Sequence, residues 1–246
     1  GITVNDPSDH VYDGQPHKWT PTIEDAKGKA LEKDKDYTVS YDKDNFKDVT
    51  TITVTITGKG DYKGTITKTY KITPRPVTLT SATDSKAYDG DPLTNKKVTE
   101  SKGTDEGFVE GEGASYDVTG SQTEVGNSEN TYTLTWDGTA KETNYTVSDS
   151  VGTLKVTKQS IVPDPDNPEN YKDVTIDDPS DATYDGKEHK WSPVVTDKDG
   201  NELKEGTDYE VSYNKDDFTN VTGEIKVTIT GKGNYTGTVD KTYQIT

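Results

Sequence analysis

Residues 53–73 read TVTITGKGDYKGTITKTYKIT, and residues 226–246 read KVTITGKGNYTGTVDKTYQIT. In the first stretch and its approach, Ile52, Val54 and Ile56 alternate with Thr53, Thr55 and Thr57. A period of two among β-branched residues predicts a half-buried strand. Gly58-Lys59-Gly60-Asp61-Tyr62-Lys63-Gly64 then reads as a hairpin connection. Beyond it Ile66, Lys68, Tyr70 and Ile72 share one face of a returning strand, as do Val239, Lys241, Tyr243 and Ile245 in the second stretch.

The match extends upstream. YDGQPHKWTP at 12–21 pairs with YDGKEHKWSP at 184–193, and DYTVSY at 36–41 with DYEVSY at 208–213. Residues 2–73 and 174–246 align with one inserted residue and roughly 40 identities in about 72 positions, which marks a repeat architecture. The insertion is expected in a loop near Gly223, before Ile225, because the alternation is intact on both sides. The stretch between the copies keeps Tyr88-Asp89-Gly90, and its Asn144-Tyr145-Thr146 matches Asn234-Tyr235-Thr236, but otherwise it diverges.

Tyr37, Val39 and Tyr41 alternate with Thr38 and Ser40, Asp199-Gly200 signals another turn, and no segment shows a helical period with caps. Closely spaced strands with Gly- and Asp-rich turns predict an all-β chain of sandwiches or small barrels. The expected division is 1–73, a repeat; 77–157, a divergent module; 158–172, a proline-rich linker; and 173–246, a repeat homologous to the first. Pro74-Arg75-Pro76 reads as a short stiff joint, and VPDPDNPEN at 162–170 as an extended polar one. Both suit an elongated array.

Composition narrows the function. Leu, Ile, Val and Phe make up only about a sixth of the chain, below the mark associated with disorder. The 15 Tyr and the strict alternation argue for folding instead. The net charge is −17 and Arg75 is the single arginine. A nucleic-acid partner needs a basic face, and an anionic membrane repels such a chain, so neither partner is expected. The acidity favours a soluble monomer. With no Cys there is no disulfide, thiolate nucleophile or Cys-held zinc. No signal peptide or transmembrane run is present, and Met is absent even at position 1, so the chain is expected to be an internal piece of a longer protein.

The succession of YDG, DYTVSY and TVTITGKGDYKGTITKTYKIT resembles bacterial Ig-like repeats of Gram-positive cell-wall-anchored surface adhesins. SKAYDGDPLT, GEGASYDVTGSQTEVGNSENTY and TNYTV resemble the related YDG/MBG-type repeats of the same proteins. The resemblance covers nearly the whole chain. It implies three tandem Ig-like antiparallel β-sandwich modules, extracellular on a bacterial cell surface, with no family catalytic residue to carry over.

No catalytic, cofactor or metal residue is assigned, and no cofactor is expected. A metal site needs three or four convergent ligands, and His10, His17 and His189, spread over two repeats, do not supply them. Asp197-Lys198-Asp199-Gly200-Asn201-Glu202 has the oxygens of a calcium loop, but its counterpart Asp25-Ala26-Lys27-Gly28-Lys29-Ala30 lacks most of them, so a hairpin turn is the better reading. Trp19 and Trp191 are read as core residues, with sugar stacking as the competing role. Tyr12, Tyr88 and Tyr184 are read as core anchors beside a tight turn. Lys68 and Lys241, on the inward face, must snorkel, pair with a buried carboxylate, or form an isopeptide bond. The function expected is a non-enzymatic stalk that projects an adhesin or contributes to host attachment. The alternative is direct binding of a host ligand, a mucin glycan or an immunoglobulin.

Overall fold

The computed structural model describes residues 1–163, 166 and 173–246. The expected linker over 158–172 therefore lies partly outside the described residues. The regular secondary structure is nearly all strand; among the described residues the single helical element is a 3-10 turn, Glu142–Asn144.

Two compact units emerge. One comprises Gly1–Ser81, Lys96–Val118 and Tyr132–Val151; the other comprises Ala82–Asn95, Thr119–Thr131 and Gly152–Thr246. The segment between the repeats thus contributes strands to both.

In the first unit the central sheet runs His10–Val11, Thr65–Thr73, Thr50–Gly58, Tyr37–Tyr41 in spatial order. Every second residue of Thr50–Gly58 points inward, which buries Ile52, Val54 and Ile56. The 58–64 turn closes as a hairpin, with the Gly58 N–H donating to the Gly64 carbonyl at 2.9 Å. A second sheet orders Tyr145–Ser150, Arg75–Ser81 and Val98–Glu100, and Ala114–Val118 pairs with Tyr132–Trp136. Tyr12, Ile52, Val54, Tyr70 and Ile72 of the repeat share one core with Val77, Leu79, Ala140 and Tyr145 of the following segment. Full burial of each large apolar side chain contributes about 1.5–3 kcal/mol. The Pro-Arg-Pro stretch is not a bare joint, because Arg75 and Pro76 open a strand.

The second unit repeats the design. Tyr209–Tyr213, Thr222–Gly231 and Thr238–Ile245 pair in the same order as their counterparts in the first repeat. Gly126–Glu129, Thr153–Thr157 and Asp84–Ala87 form a separate sheet.

Two expectations are corrected. The sheets are mixed, not wholly antiparallel: His10–Val11 with Thr65–Thr73, Arg75–Ser81 with Tyr145–Ser150, Asp84–Ala87 with Thr153–Thr157, and Gln159–Ser160 with Tyr235–Thr236 run parallel. Side-chain alternation is the same in either direction, so it does not encode the partner's sense. The inserted residue is not in a loop. The register shifts between Thr222 and Ile225 inside the strand, where the first repeat pairs Thr50, Thr51 and Ile52 without a break. It is a β-bulge, which absorbs one residue and leaves the inward set in phase on either side.

Candidate functional site

The Tyr-Asp-Gly tripeptide has one structure in three places. The Asp Oδ1 accepts the backbone N–H two residues on: Gln15 for Asp13, Asp91 for Asp89, Lys187 for Asp185. The Gly takes positive φ, at 78°, 84° and 77° for Gly14, Gly90 and Gly186, which side-chain-bearing residues rarely adopt. The Tyr N–H is tied to the end of the last strand, donating to the carbonyl of Thr73, Thr157 or Thr246. The turn therefore fixes a Tyr ring at the point where the chain leaves each strand cluster.

In the first unit that ring meets the next segment. Tyr12 and Tyr145 are edge to face, with centroids 5.5 Å apart. Both hydroxyls donate to Glu112, one to each carboxylate oxygen, at 2.6 Å. Burial first, then the Glu112 carboxylate, pushes the Tyr12 phenol up to about 12. Beside the rings, Asn144 Oδ1 accepts the Val49 N–H at 3.0 Å and its amide donates to Asp48 at 2.9 Å. Lys141 pairs with the same carboxylate at 2.9 Å.

Beneath this lies Arg75, 7% exposed. Its guanidinium donates to five carbonyls: Gly107 at 2.7 Å, Glu106 at 3.0 Å, Gly103 and Thr104 at 3.1 Å, and Tyr12 at 3.4 Å. A planar fork of fixed donors suits a ring of backbone acceptors. Gly107 has a φ of 82°, and a Cβ there would stand 2.2 Å from the Ser101 carbonyl oxygen. Gly107→Ala is accordingly expected to lower the unfolding midpoint well beyond the roughly 1 kcal/mol of an ordinary point change, as chemical denaturation would show.

The second unit holds a matching arrangement with different residues. Tyr88 and Tyr235 are edge to face at 5.6 Å. Asn234 Oδ1 accepts the Val125 N–H at 3.4 Å, and its amide donates to Glu124 at 2.6 Å. The entering strand pairs in parallel in both units: Arg75 opposite Tyr145, and Gln159 opposite Tyr235. Two strand positions on, Val77 and Ile161 are buried. Each junction is thus a Tyr on a Tyr, an Asn capping an acid-Val pair, and a parallel strand that plugs a core with an aliphatic side chain.

The Asn144 amide, then the Lys141 ammonium, holds the Asp48 carboxyl below the usual range. A carboxyl lowered in the folded state stabilises above its unfolded pKa near 4 and loses that contribution as pH falls through the lowered value. Thermal melts between about pH 5 and pH 2 should therefore show a first-unit stability loss that is shallower in Asn144→Ala than in the parent chain. Equal slopes would show that the cap does not reach Asp48.

The other candidate residues have local roles. His17 and His189 bond to Asp13 and Asp185 at 2.8 Å and brace the Tyr-Asp-Gly turn; His10 stacks on His17. Among the described residues no three His, Cys, Asp or Glu side chains gather as a metal site. Asp197 spends its carboxylate on the N–H groups of Asp199 and Asn201 and on the Asn201 amide, as a turn. Its counterpart Asp25 accepts from Lys29 and Lys27, which hold its carboxyl below the usual range. Trp19 and Trp191 are half-buried and pack against the cores of their units. Of the three tyrosines, Tyr12 is a core residue and Tyr88 is half-buried, but Tyr184 is 51% exposed, which corrects its reading as an anchor. The motif sets the ring's direction, and the segment that follows decides whether it is covered.

Lys68 and Lys241 do share the inward face, yet their partners are Asp6 and Asp178, which are 80% and 82% exposed. Of the three readings the first fits, and a buried carboxylate partner does not: the stems run along the sheet and the ammonium groups emerge at its rim. Lys68→Ala is expected to cost less than about 1 kcal/mol. Intact mass should equal the sequence mass, since an exposed aspartate is not the desolvated acid that amide formation requires; loss of one water would contradict this.

No protein-family model matches the chain, and no curated protein matches it. Among solved structures it is similar to protocadherin gamma B2 extracellular cadherin domains 3–6, with 9% identity and a TM-score of 0.32, covering 100% of this chain and 75% of that one. A protocadherin gammaB7 EC3–6 cis-dimer structure gives the same identity and TM-score, covering 100% of this chain and 76% of that one. At that score the likeness transfers neither topology nor function.

Proposed function

We propose that this chain is a non-catalytic repeat region of a bacterial cell-surface adhesin, three Ig-like modules in tandem, that projects a terminal domain or contributes to host attachment. The observation that carries the reading is the recurrence of one junction chemistry at two places, built each time from Tyr, Asn and an entering strand. A part that only spaces other parts needs joints that hold their geometry, and each of these joints fixes side chains on both sides. Asp13 and Asp197 are committed to turns, Asp48 to a cap and Asp6 to an exposed pair.

The test is a binding screen of the purified segment against mucin glycans, immunoglobulins and matrix proteins, at concentrations up to about 100 μM, near the weak end of specific recognition. The expected result is no saturable binding. Saturable micromolar binding to one ligand class would replace the spacer reading with that of a binding module.

A further inference from the structure

The first repeat carries a cavity of about 310 Å³ lined by Ile2, Ile23, Leu31, Tyr37, Ile56 and Tyr62. The equivalent residues of the second repeat are Val174, Val195, Leu203, Tyr209, Ile229 and Tyr235. There they enclose Ile161, which is 1% exposed and belongs to the strand that precedes the repeat. Glycine surroundings agree. A Cβ on Gly237 would meet Val162 at 2.7 Å and Ser160 at 3.4 Å, whereas nothing lies within 4 Å of one on Gly64. The Tyr235–Thr236 edge is paired to Gln159–Ser160, while Tyr62-Lys63 belongs to no strand. The first repeat thus offers a socket of known occupant chemistry: a parallel strand bearing one aliphatic side chain.

The second repeat shows the complementary half. Tyr184 and Val221, the counterparts of buried Tyr12 and half-buried Val49, are 51% and 65% exposed. A Cβ on Gly14 would stand 2.9 Å from Val109, yet nothing lies within 4 Å of one on Gly186. In each internal junction an acid precedes the Val and an Asn precedes the opposing Tyr: Asp48 with Asn144, and Glu124 with Asn234. At the two open faces the types are exchanged. Asn220 precedes Val221, and Asp61 precedes Tyr62. The Asn220 amide gives one hydrogen to Asp217 at 2.7 Å, which leaves its other hydrogen and the Val221 N–H for a carboxylate such as that of Asp61, whereas two acids would repel.

We propose that these two faces are the halves of one head-to-tail interface, closed by a second copy of this sequence. Tyr184 packs on Tyr62, Asp61 caps Asn220-Val221, and a strand joining the two copies enters the 310 Å³ socket. The spacing sets which residue plugs it. Val77 follows Ile72 by five residues and Ile161 follows Val156 by five, so in a strand joining two copies the plug is the fifth residue after Ile245. The interface does not depend on which parent protein carries the repeats.

The test is a single polypeptide of two full 246-residue chains joined by a copy of residues 158–172, which supplies Ile at that position. Amide hydrogen exchange is compared at Val221 of the upstream copy and Val221 of the single chain. The expected result is exchange at least tenfold slower in the fusion, returning to the single-chain rate when the downstream Asp61 is replaced, Asp61→Lys. Asp61 is exposed in the single chain, so that variant leaves folding intact. Equal exchange in fusion and single chain, or protection that survives Asp61→Lys, overturns the proposal.

Discussion

Arg75→Ala is expected to destabilise the first unit by about 3–5 kcal/mol. The side chain is buried and bonded to five backbone carbonyls drawn from Tyr12 and the 103–107 loop. Its removal strips those oxygens of donors in a place water reaches poorly, and each stranded acceptor costs about 1–3 kcal/mol before relaxation. Arg75→Lys should recover only part of the loss. An ammonium offers three donors from one point and does not span acceptors arranged around a plane. Val109, whose N–H donates to the Tyr145 hydroxyl at 3.1 Å, should lose amide protection with the loop. Unfolding midpoints for the parent, Lys and Ala chains check this; a Lys variant as stable as the parent would show that charge alone, not the fork, holds the loop.

Tyr12→Ala and Tyr184→Ala alter the same position of the two repeats and should give opposite results. Tyr12 is 1% exposed, rests on Tyr145 and donates to Glu112; its truncation should cost about 3–5 kcal/mol, as for other buried aromatics. Tyr184→Ala should fall within about ±0.5 kcal/mol, as for surface changes. Tyr12→Phe separates packing from the hydroxyl. It leaves Glu112 its bond from Tyr145, so a loss of about 1 kcal/mol is expected. Chemical denaturation of the three variants decides; equal costs for Tyr12→Ala and Tyr184→Ala would mean that the segment after the first repeat adds nothing to its stability.

Much of the strand content was legible because burial and period coincide. The inward set Ile52, Val54, Ile56 and the returning Tyr70, Ile72 are buried where alternation placed them. What stayed hidden was information that alternation does not carry. The parallel partner of His10–Val11 is a strand some sixty residues on, and neither the side-chain pattern nor the turns name it. The bulge before Ile225 was hidden because one added residue leaves the flanking phases intact. For Lys68 the face was legible but the partner was not: Asp6 lies sixty-two residues upstream, and nothing in the alternation points to it. Arg75 looked like a charge between two prolines, and since its acceptors are backbone carbonyls no acidic residue advertises them. The junction left one trace. In all three occurrences Val stands thirty-seven residues after the Tyr of Tyr-Asp-Gly, at Val49, Val125 and Val221, and the residue before it is Asp48, Glu124 or Asn220. With Asn144-Tyr145-Thr146 and Asn234-Tyr235-Thr236 already visible, that spacing was the missing half of the motif.

Amide hydrogen exchange at Val49, Val125 and Val221 in the intact chain tests the recurring junction most directly, because one backbone position is read in three settings. Asn144 accepts the first N–H and Asn234 the second, while the third lies on the exposed face of the last repeat. The expected result is slow exchange at Val49 and Val125, made fast by Asn144→Ala and Asn234→Ala respectively, and fast exchange at Val221 in every variant. Three equal rates, unaffected by either substitution, would contradict a junction built from these residues.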